Sequence, residues 1–242
     1  FWPVDVHLIG KDILRFHAVY WPTFLMAAGL PLPKKVFAHG WWTVEGQKMS
    51  KSLQNVVEPN MLIDRYGVDA VRYFLLREVP FGLDGDFSHS ALVNRINSDL
   101  ANDLGNLLNR STAMIHKYFG GELPECGAME AVDVAYQEKS SAMVTAVDTQ
   151  MGDLAFSKAL QSIWEVISAG NKYIDETAPW TLAKDSAMKE RLGTVMYCLA
   201  ESQRLVYSLL AAFMPSTAEK GLGYLGGDYP PTVESLAWGK LA

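Results

Sequence analysis

Apolar positions along the first 90 residues switch between a period of two and a period of 3.6, so strands and helices are expected to alternate there. Val4–Ile9 is a short apolar run ending at Gly10, the pattern of a buried strand. Apolar residues at 13, 14, 16, 20, 21 and 24 predict an amphipathic helix over Asp12–Met26, bent ahead of Pro22. Lys35–His39 reads as a second strand. Trp41–Val44 and Gln47–Met49 flank Glu45-Gly46, a tight hairpin with glycine where φ must be positive. Pro59 suits the first turn of a helix through Tyr66 that Gly67 stops, and Val68–Val79 predicts another ending before Pro80. Two strands and a hairpin cannot make the covered parallel sheet to which such runs belong, so this α/β unit is expected to be incomplete.

From about Ser88 the pattern is helical. Leu92, Ile96, Leu100, Leu104 and Leu108 recur every four residues until Gly120-Gly121. Helical spacing returns over Val132–Met151, Leu154–Ile174 and Met188–Met214, with Gly121, Pro124, Gly152, Pro179 and Pro215 in the connections. A four- or five-helix bundle with one apolar stripe per helix is expected. The fold class is therefore α/β followed by all-α, divided into residues 1–87 and 88–242.

Charge narrows what the helical part can do. The 242 residues carry a net charge of −6, and residues 1–90 hold 9 basic and 9 acidic side chains. Residues 91–242 hold 12 and 18, the wrong sign for a general phosphate-binding surface. Any nucleic acid must be gripped there by a local patch and by base contacts. The apolar content of 49% excludes a disordered chain. Cys126 and Cys198 are too few for a disulfide framework or a Cys-rich zinc site, and a reducing, cytoplasmic setting is expected. Neither a basic, cleavable leader nor an apolar run of roughly 18 residues is present, so no membrane association is expected.

Lys48-Met49-Ser50-Lys51-Ser52 is the strongest chemical feature. Two lysines three apart at a hairpin exit can converge on one polyphosphate. Their ammonium groups would stabilise charge on a leaving pyrophosphate, while hydroxyls and loop amides donate hydrogen bonds. A solvated basic turn is the ordinary reading of two nearby lysines. A five-residue match of this kind arises by chance on the order of once in 10⁴ such chains, so the ordinary reading loses. The pentapeptide resembles, letter for letter, the KMSKS loop of class I aminoacyl-tRNA synthetases. That implies a partial Rossmann-like catalytic fold for residues 1–87, with Lys48 and Lys51 catalytic and Ser50 beside them at ATP.

The segment upstream narrows the family. Gly10-Lys11-Asp12-Ile13, Phe16-His17, Trp21-Pro22 and His39-Gly40-Trp41-Trp42 resemble the methionyl-tRNA synthetase family. The resemblance implies that Gly10, Asp12, His39 and Trp42 approach ATP, Asp12 through a ribose hydroxyl. It also implies that Ile13 and His17 line a methionine pocket. Those two are four apart and so share a helix face, an apolar wall beside a polar atom that suits a thioether. Taken alone, His17 reads more simply as a core histidine. His7-Leu8-Ile9-Gly10 imitates the HIGH motif of these enzymes, but it stands only about 40 residues ahead of the KMSKS loop and ends in glycine. His7 is expected to be a strand residue, and the HIGH half is missing.

In the helical part, Asn102, Asn106, Asn109 and Arg110 fall on one arc of the helix wheel, opposite the leucines. A solvated face is the simple reading. Asn and Arg are also the side chains that read base edges, and Trp180 in Ala178-Pro179-Trp180 stands at a helix break where it could stack on an unpaired base. Both segments are similar to the anticodon-binding bundle of the same family, which implies that Asn102, Asn106, Arg110, Pro179 and Trp180 grip a CAU anticodon. The implied activity is activation of L-methionine with ATP and Mg²⁺ to methionyl-adenylate, then transfer to the tRNA for methionine. The implied partners include the N-terminal half of the catalytic domain; no metal site is expected in this chain. An inactive tRNA-binding fragment that needs that half is the alternative.

Overall fold

In a computed structural model, which describes residues 2–50 and 52–241, strand β1 (Val6–Gly10) runs parallel to β2 (Lys35–His39), with Gly10 opposite His39. Phe1, Lys51 and Ala242 lie outside the described residues. The crossover between the strands is helical from Lys11 to Ala27. It opens on a tight turn at Lys11–Ile13, widens to a π-helical turn at Phe16–Tyr20 and closes as α1 (Trp21–Ala27). The bend expected ahead of Pro22 takes this form because proline offers no amide hydrogen and crowds the preceding turn.

A second sheet has the order β4-β3-β5. Strand β3 (Trp42–Val44) is antiparallel to β4 (Gln47–Lys48) across Glu45-Gly46, whose φ angles of 49° and 75° are both positive as a two-residue hairpin requires. The third strand, β5 (Gly85–Phe87), is parallel to β3 and was not expected. Three residues beginning Gly-Asp carry no alternation to read. Pairing alone makes them a strand, through the Gly85 amide on the Trp41 carbonyl at 2.8 Å. Helices α2 (Pro59–Tyr66) and α3 (Val68–Arg77) are separated by Gly67 at φ 82°.

Ser88 accepts from the Ala91 amide to start α4 (His89–Arg95). Helical structure then continues through a π-helical segment, Ile96–Gly105, into α5 (Asn106–Phe119), which ends at left-handed Gly120. The four-residue leucine repeat explains the widening. An ideal α-helix turns about 100° per residue, so such a stripe drifts around its surface, and looser i→i+5 winding returns it to the core. The bundle is completed by α6 (Ala131–Gly152), α7 (Phe156–Thr177), the short α8 (Pro179–Leu182), α9 (Lys189–Leu210) and α10 (Pro215–Leu225). Helix α9 runs through its centre, buried almost throughout from Leu192 to Ser208.

Burying α9 so deeply forces its charges to be paired. Glu201 takes the Arg204 guanidinium on both oxygens and the amides of Gly239, Lys240 and Leu241, clasping the C-terminal segment against the helix. Arg191 binds Asp133 bidentately, and Tyr173 donates to the same carboxylate. Helix α3 joins this core through Tyr73, whose ring lies 4.6 Å from Trp164 and whose hydroxyl donates to Asp99 at 2.7 Å. A smaller core of Phe74, Phe87 and Leu92 sits beneath the β3–β5 sheet. Around β1 and α1 the picture differs: Leu8, Phe16, Phe24 and Met26 are each more than half exposed. Two strands leave an apolar face uncovered, as an incomplete α/β unit must.

Candidate functional site

The carboxyl ends of parallel strands are where open α/β sheets bind ligands, and Gly10, Asp12 and His39 converge at that end of β1 and β2. A Cβ placed on Gly10 would press against the Asp12 carboxylate and stand 3.9 Å from the His39 ring. Glycine there therefore lets the exposed Asp12 approach. His39 donates from Nδ1 to the Gly40 carbonyl at 2.9 Å and stacks on Phe81. Gly40 is buried, and any side chain there would collide with the Leu83 backbone.

Trp42 is the other residue expected at ATP. Its ring packs on Phe74 at 5.9 Å and fills the space over Gly85, on the core side of β3. The neighbouring Trp41 is the aromatic that faces the lysines: Lys11 Nζ lies 4.2 Å and Lys48 Nζ 5.4 Å from its ring centroid. Asp84 fixes this arrangement. Both its oxygens take Lys11 at 2.6 Å, and one accepts the Trp41 amide at 2.9 Å. Those two donors, Lys11 first, hold the Asp84 carboxyl below its ordinary range. Sequence reading missed Trp41 and Asp84, because 43 residues separate two groups that only the β3–β5 pairing unites.

Lys48 is exposed and pairs with no carboxylate among the described residues. Lys51, the other expected catalytic lysine, lies outside the described residues. The loop between them and α2 is organised by Asn55, whose side chain accepts the Ser50 amide at 2.9 Å and donates to the Lys48 carbonyl at 3.2 Å. Ser50 accepts in turn from the Leu53 amide at 3.2 Å. Asn55 is thus a third residue the sequence did not single out.

Ile13 and His17 stand on the helical crossover beside β1, Ile13 exposed and His17 half-buried. His17 Nδ1 lies 3.1 Å from the Ile13 carbonyl, which can only accept, so Nδ1 carries the proton. With Nδ1 so engaged, Nε2 is the ring nitrogen left to face a ligand. His7 does belong to β1; its Nε2 accepts from the Trp21 indole at 3.1 Å, and its ring meets Trp2, His17 and Trp21 in an aromatic cluster. Among the described residues no group of three His, Cys, Asp or Glu is placed to hold a metal ion.

At the other end of the chain, Asn102, Asn106 and Asn109 are exposed and Arg110 is half-buried. Asn102 falls within the π-helical segment, so its bearing is not the one an ideal wheel gives. Arg110 binds Asp175 at 2.7 Å and Asn106 meets Asn171 at 3.5 Å. Pairs four apart on α5 thus face pairs four apart on α7. Asn171 and Asp175 were not foreseen: spacing within α7 gives their face but not their partner. Helix α7 stops at Ala178, held left-handed at φ 42°, and Pro179 starts α8. Pro179 is buried and shapes the turn. Trp180, 44% exposed, stands next to it.

Comparison with known proteins divides the chain further along, towards the end of α5. Residues 1–112 match the family described as tRNA synthetases class I (M), and residues 123–233 match the anticodon binding domain of methionyl tRNA ligase. Fold and matches together define a class I aminoacyl-tRNA synthetase region followed by an anticodon-binding helical region. The chain is 57% identical over 242 residues to the methionine–tRNA ligase of Caldanaerobacter subterraneus subsp. tengcongensis, covering all of this chain and 38% of that protein. It is 54% identical over 243 residues to that of Bacillus subtilis, again over its whole length and 36% of the relative. A structure of Mycobacterium tuberculosis methionyl-tRNA synthetase bound by methionyl-adenylate superposes with a TM-score of 0.94 at 44% identity, covering 98% of this chain and 47% of that one. The chain belongs to the methionyl-tRNA synthetase family, as a portion spanning little more than a third of the length of those curated relatives. No helix of the described residues is long and apolar enough to cross a membrane.

Proposed function

We propose that this chain supplies the KMSKS side of the catalytic site and the anticodon-reading bundle of a cytoplasmic methionine–tRNA ligase, with residues 1–87 belonging to the first and 88–242 to the second. The observation that carries this reading is the meeting of Lys11 and Lys48 over Trp41, next to the crevice where Gly10, Asp12 and His39 converge. ATP with Mg²⁺ would lie in that crevice, close to Gly10 and His39, with Asp12 on a ribose hydroxyl. Lys48 and Lys51 act mainly as charge accumulates on the departing pyrophosphate, and Ser50 steadies the loop. Methionine would lie along Ile13 and His17. No protein nucleophile is needed: positioning and charge stabilisation carry the chemistry.

Asn102, Asn106, Arg110 and Trp180 would meet the CAU loop of the tRNA, with Pro179 setting the angle at which Trp180 is offered. A bundle of negative net charge suits such base-centred recognition. Exposed Leu8, Phe16, Phe24 and Met26 favour a catalytic unit that is completed by an N-terminal half, so the chain alone is a tRNA-binding piece without ligase activity.

Methionine-dependent ATP–pyrophosphate exchange tests this, run on the chain alone and after mixing with the N-terminal portion of a relative. Binding of anticodon stem-loops runs in parallel. Exchange only in the mixture, with CAU loops preferred by the chain alone, is the expected result. A mixture that exchanges with another amino acid, or a chain indifferent to the loop sequence, overturns the reading.

A further inference from the structure

Helix α10 begins without a local cap. Met214 stands at its N-cap position and has no side-chain oxygen to offer, and Pro215 follows. The cap comes instead from α3, far away in sequence. Asp69 Oδ2 accepts the Thr217 amide at 2.6 Å and the Thr217 hydroxyl at 2.7 Å. One turn further along α3, Arg72 reaches the other side of the same corner. Its Nε donates to the Phe213 carbonyl at 2.7 Å and its Nη2 to the Ala212 carbonyl at 2.9 Å, just beyond the end of α9. A carboxylate thus sits at a helix N-terminus and a guanidinium at a helix C-terminus, the two placements that the helix dipole favours. Among the described residues neither side chain forms a salt bridge, and their side-chain hydrogen bonds go to the corner.

The placement of α3 gives this corner its importance. Helix α2 starts seven positions after Ser52, the last residue of the KMSKS loop, and α3 follows α2 across Gly67. Another tether joins the first region to the α6–α7 turn, through Phe81 on Phe156 at 4.9 Å and Lys35 on the Gly152 carbonyl at 3.2 Å. Tyr73 also packs the middle of α3 on Trp164; that apolar contact is a pivot, and the directional hydrogen bonds at the α9–α10 corner fix the rotation about it.

We propose that Asp69 and Arg72 are positioning residues: by capping both helix ends at the α9–α10 corner from α3, they fix the angle between the KMSKS-bearing segment and the anticodon bundle. This rests on the ligase reading for its consequence, that charging of tRNA depends on the corner while adenylate formation does not.

Spin labels at Asp64 and Lys184, in a Cys126→Ser background of this chain, read the angle directly as a distance distribution. Asp69→Ala with Arg72→Ala broadens that distribution, whereas Asp69→Asn, which keeps an acceptor oxygen for Thr217, leaves it narrow. Equal widths in all three overturn the proposal, and this readout needs no enzymatic activity. In a full-length synthetase carrying this chain, the double variant lowers kcat/KM for tRNA charging about tenfold or more and leaves pyrophosphate exchange within about twofold. Parallel losses in both assays, with no rescue by Asp69→Asn, mean a plain stability effect and overturn it as well. A wild type without methionine-dependent exchange would refute the ligase reading instead, while the label distances still decide the corner.

Discussion

Replacing Trp180 by Ala separates recognition from packing. With 44% of its surface exposed, five residues beyond the Asp175 that holds Arg110, the indole has a free side to offer a base. Stacking on one base contributes roughly 1–3 kcal/mol. At about 1.4 kcal/mol per decade, Trp180→Ala should weaken binding of a CAU stem-loop roughly 5-fold to 150-fold. Trp164, only 7% exposed and packed at a tilt on Tyr73, is the contrasting core tryptophan. Trp164→Ala should lower the unfolding temperature markedly, by about 3–5 kcal/mol of stability. Trp180→Ala should cost far less stability, because much of that ring is already in water. Fluorescence or calorimetric titration at fixed salt measures the affinity, and Trp180→Phe, which keeps an aromatic face, should recover most of it. Because stacking releases few counterions, the lost free energy should also be nearly independent of salt. An unchanged affinity, or a Phe variant as weak as the Ala variant, would refute the reasoning. In the completed enzyme, Trp180→Ala should impair charging and spare pyrophosphate exchange.

Other outcomes follow from the same geometry. Lys51→Ala should slow adenylate formation by about 10²–10³ and change methionine affinity little; single-turnover kinetics beside equilibrium binding separate the two, and equal losses contradict the assignment. Trp41→Leu removes the aromatic face from Lys48 and should raise the KM for ATP roughly 2-fold to 5-fold, at about 0.5–1 kcal/mol for an exposed cation–π contact, with Trp41→Phe intermediate; no change would mean the ring does not steer the loop. Glu201→Gln leaves Arg204 buried without its counter-charge and should cost about 3–5 kcal/mol in a denaturant titration. Burial alone would raise the Glu201 pKa, but Arg204 and the amides of Lys240 and Gly239 outweigh it and hold the group below 4.5. Its contribution is therefore complete above the unfolded value of 4.5 and is lost as pH falls through the lower folded value. A parallel acid-stability curve for Glu201→Gln would contradict that.

Much of the secondary structure was legible because its signals are local. Gly67 and Gly120 terminate helices at positive φ, Pro59 opens α2 and the Glu45-Gly46 hairpin turns where a period-two pattern breaks. The KMSKS pentapeptide was legible for the same reason, its chemistry being carried by five consecutive residues. The four-residue leucine stripe was visible too, but it was read on an ideal wheel. Its helical pitch depends on where the core lies, so the π-helical widening that re-aims Asn102 was not.

The sequence by itself determined most of the helical segments, though not α10, and which pentapeptide bears the lysines. Each of these is written in neighbours a few positions apart, at the range over which backbone sterics and side-chain periodicity act. Only the tertiary structure decided that Trp41 rather than Trp42 faces Lys48, that Gly85–Phe87 is a strand, that Asp175 holds Arg110, and that Asp69 and Arg72 cap a corner 140 residues or more away. Hydrogen bonds and ion pairs act over a few ångströms in space whatever the separation along the chain, so their partners become definite only when packing has brought the segments together.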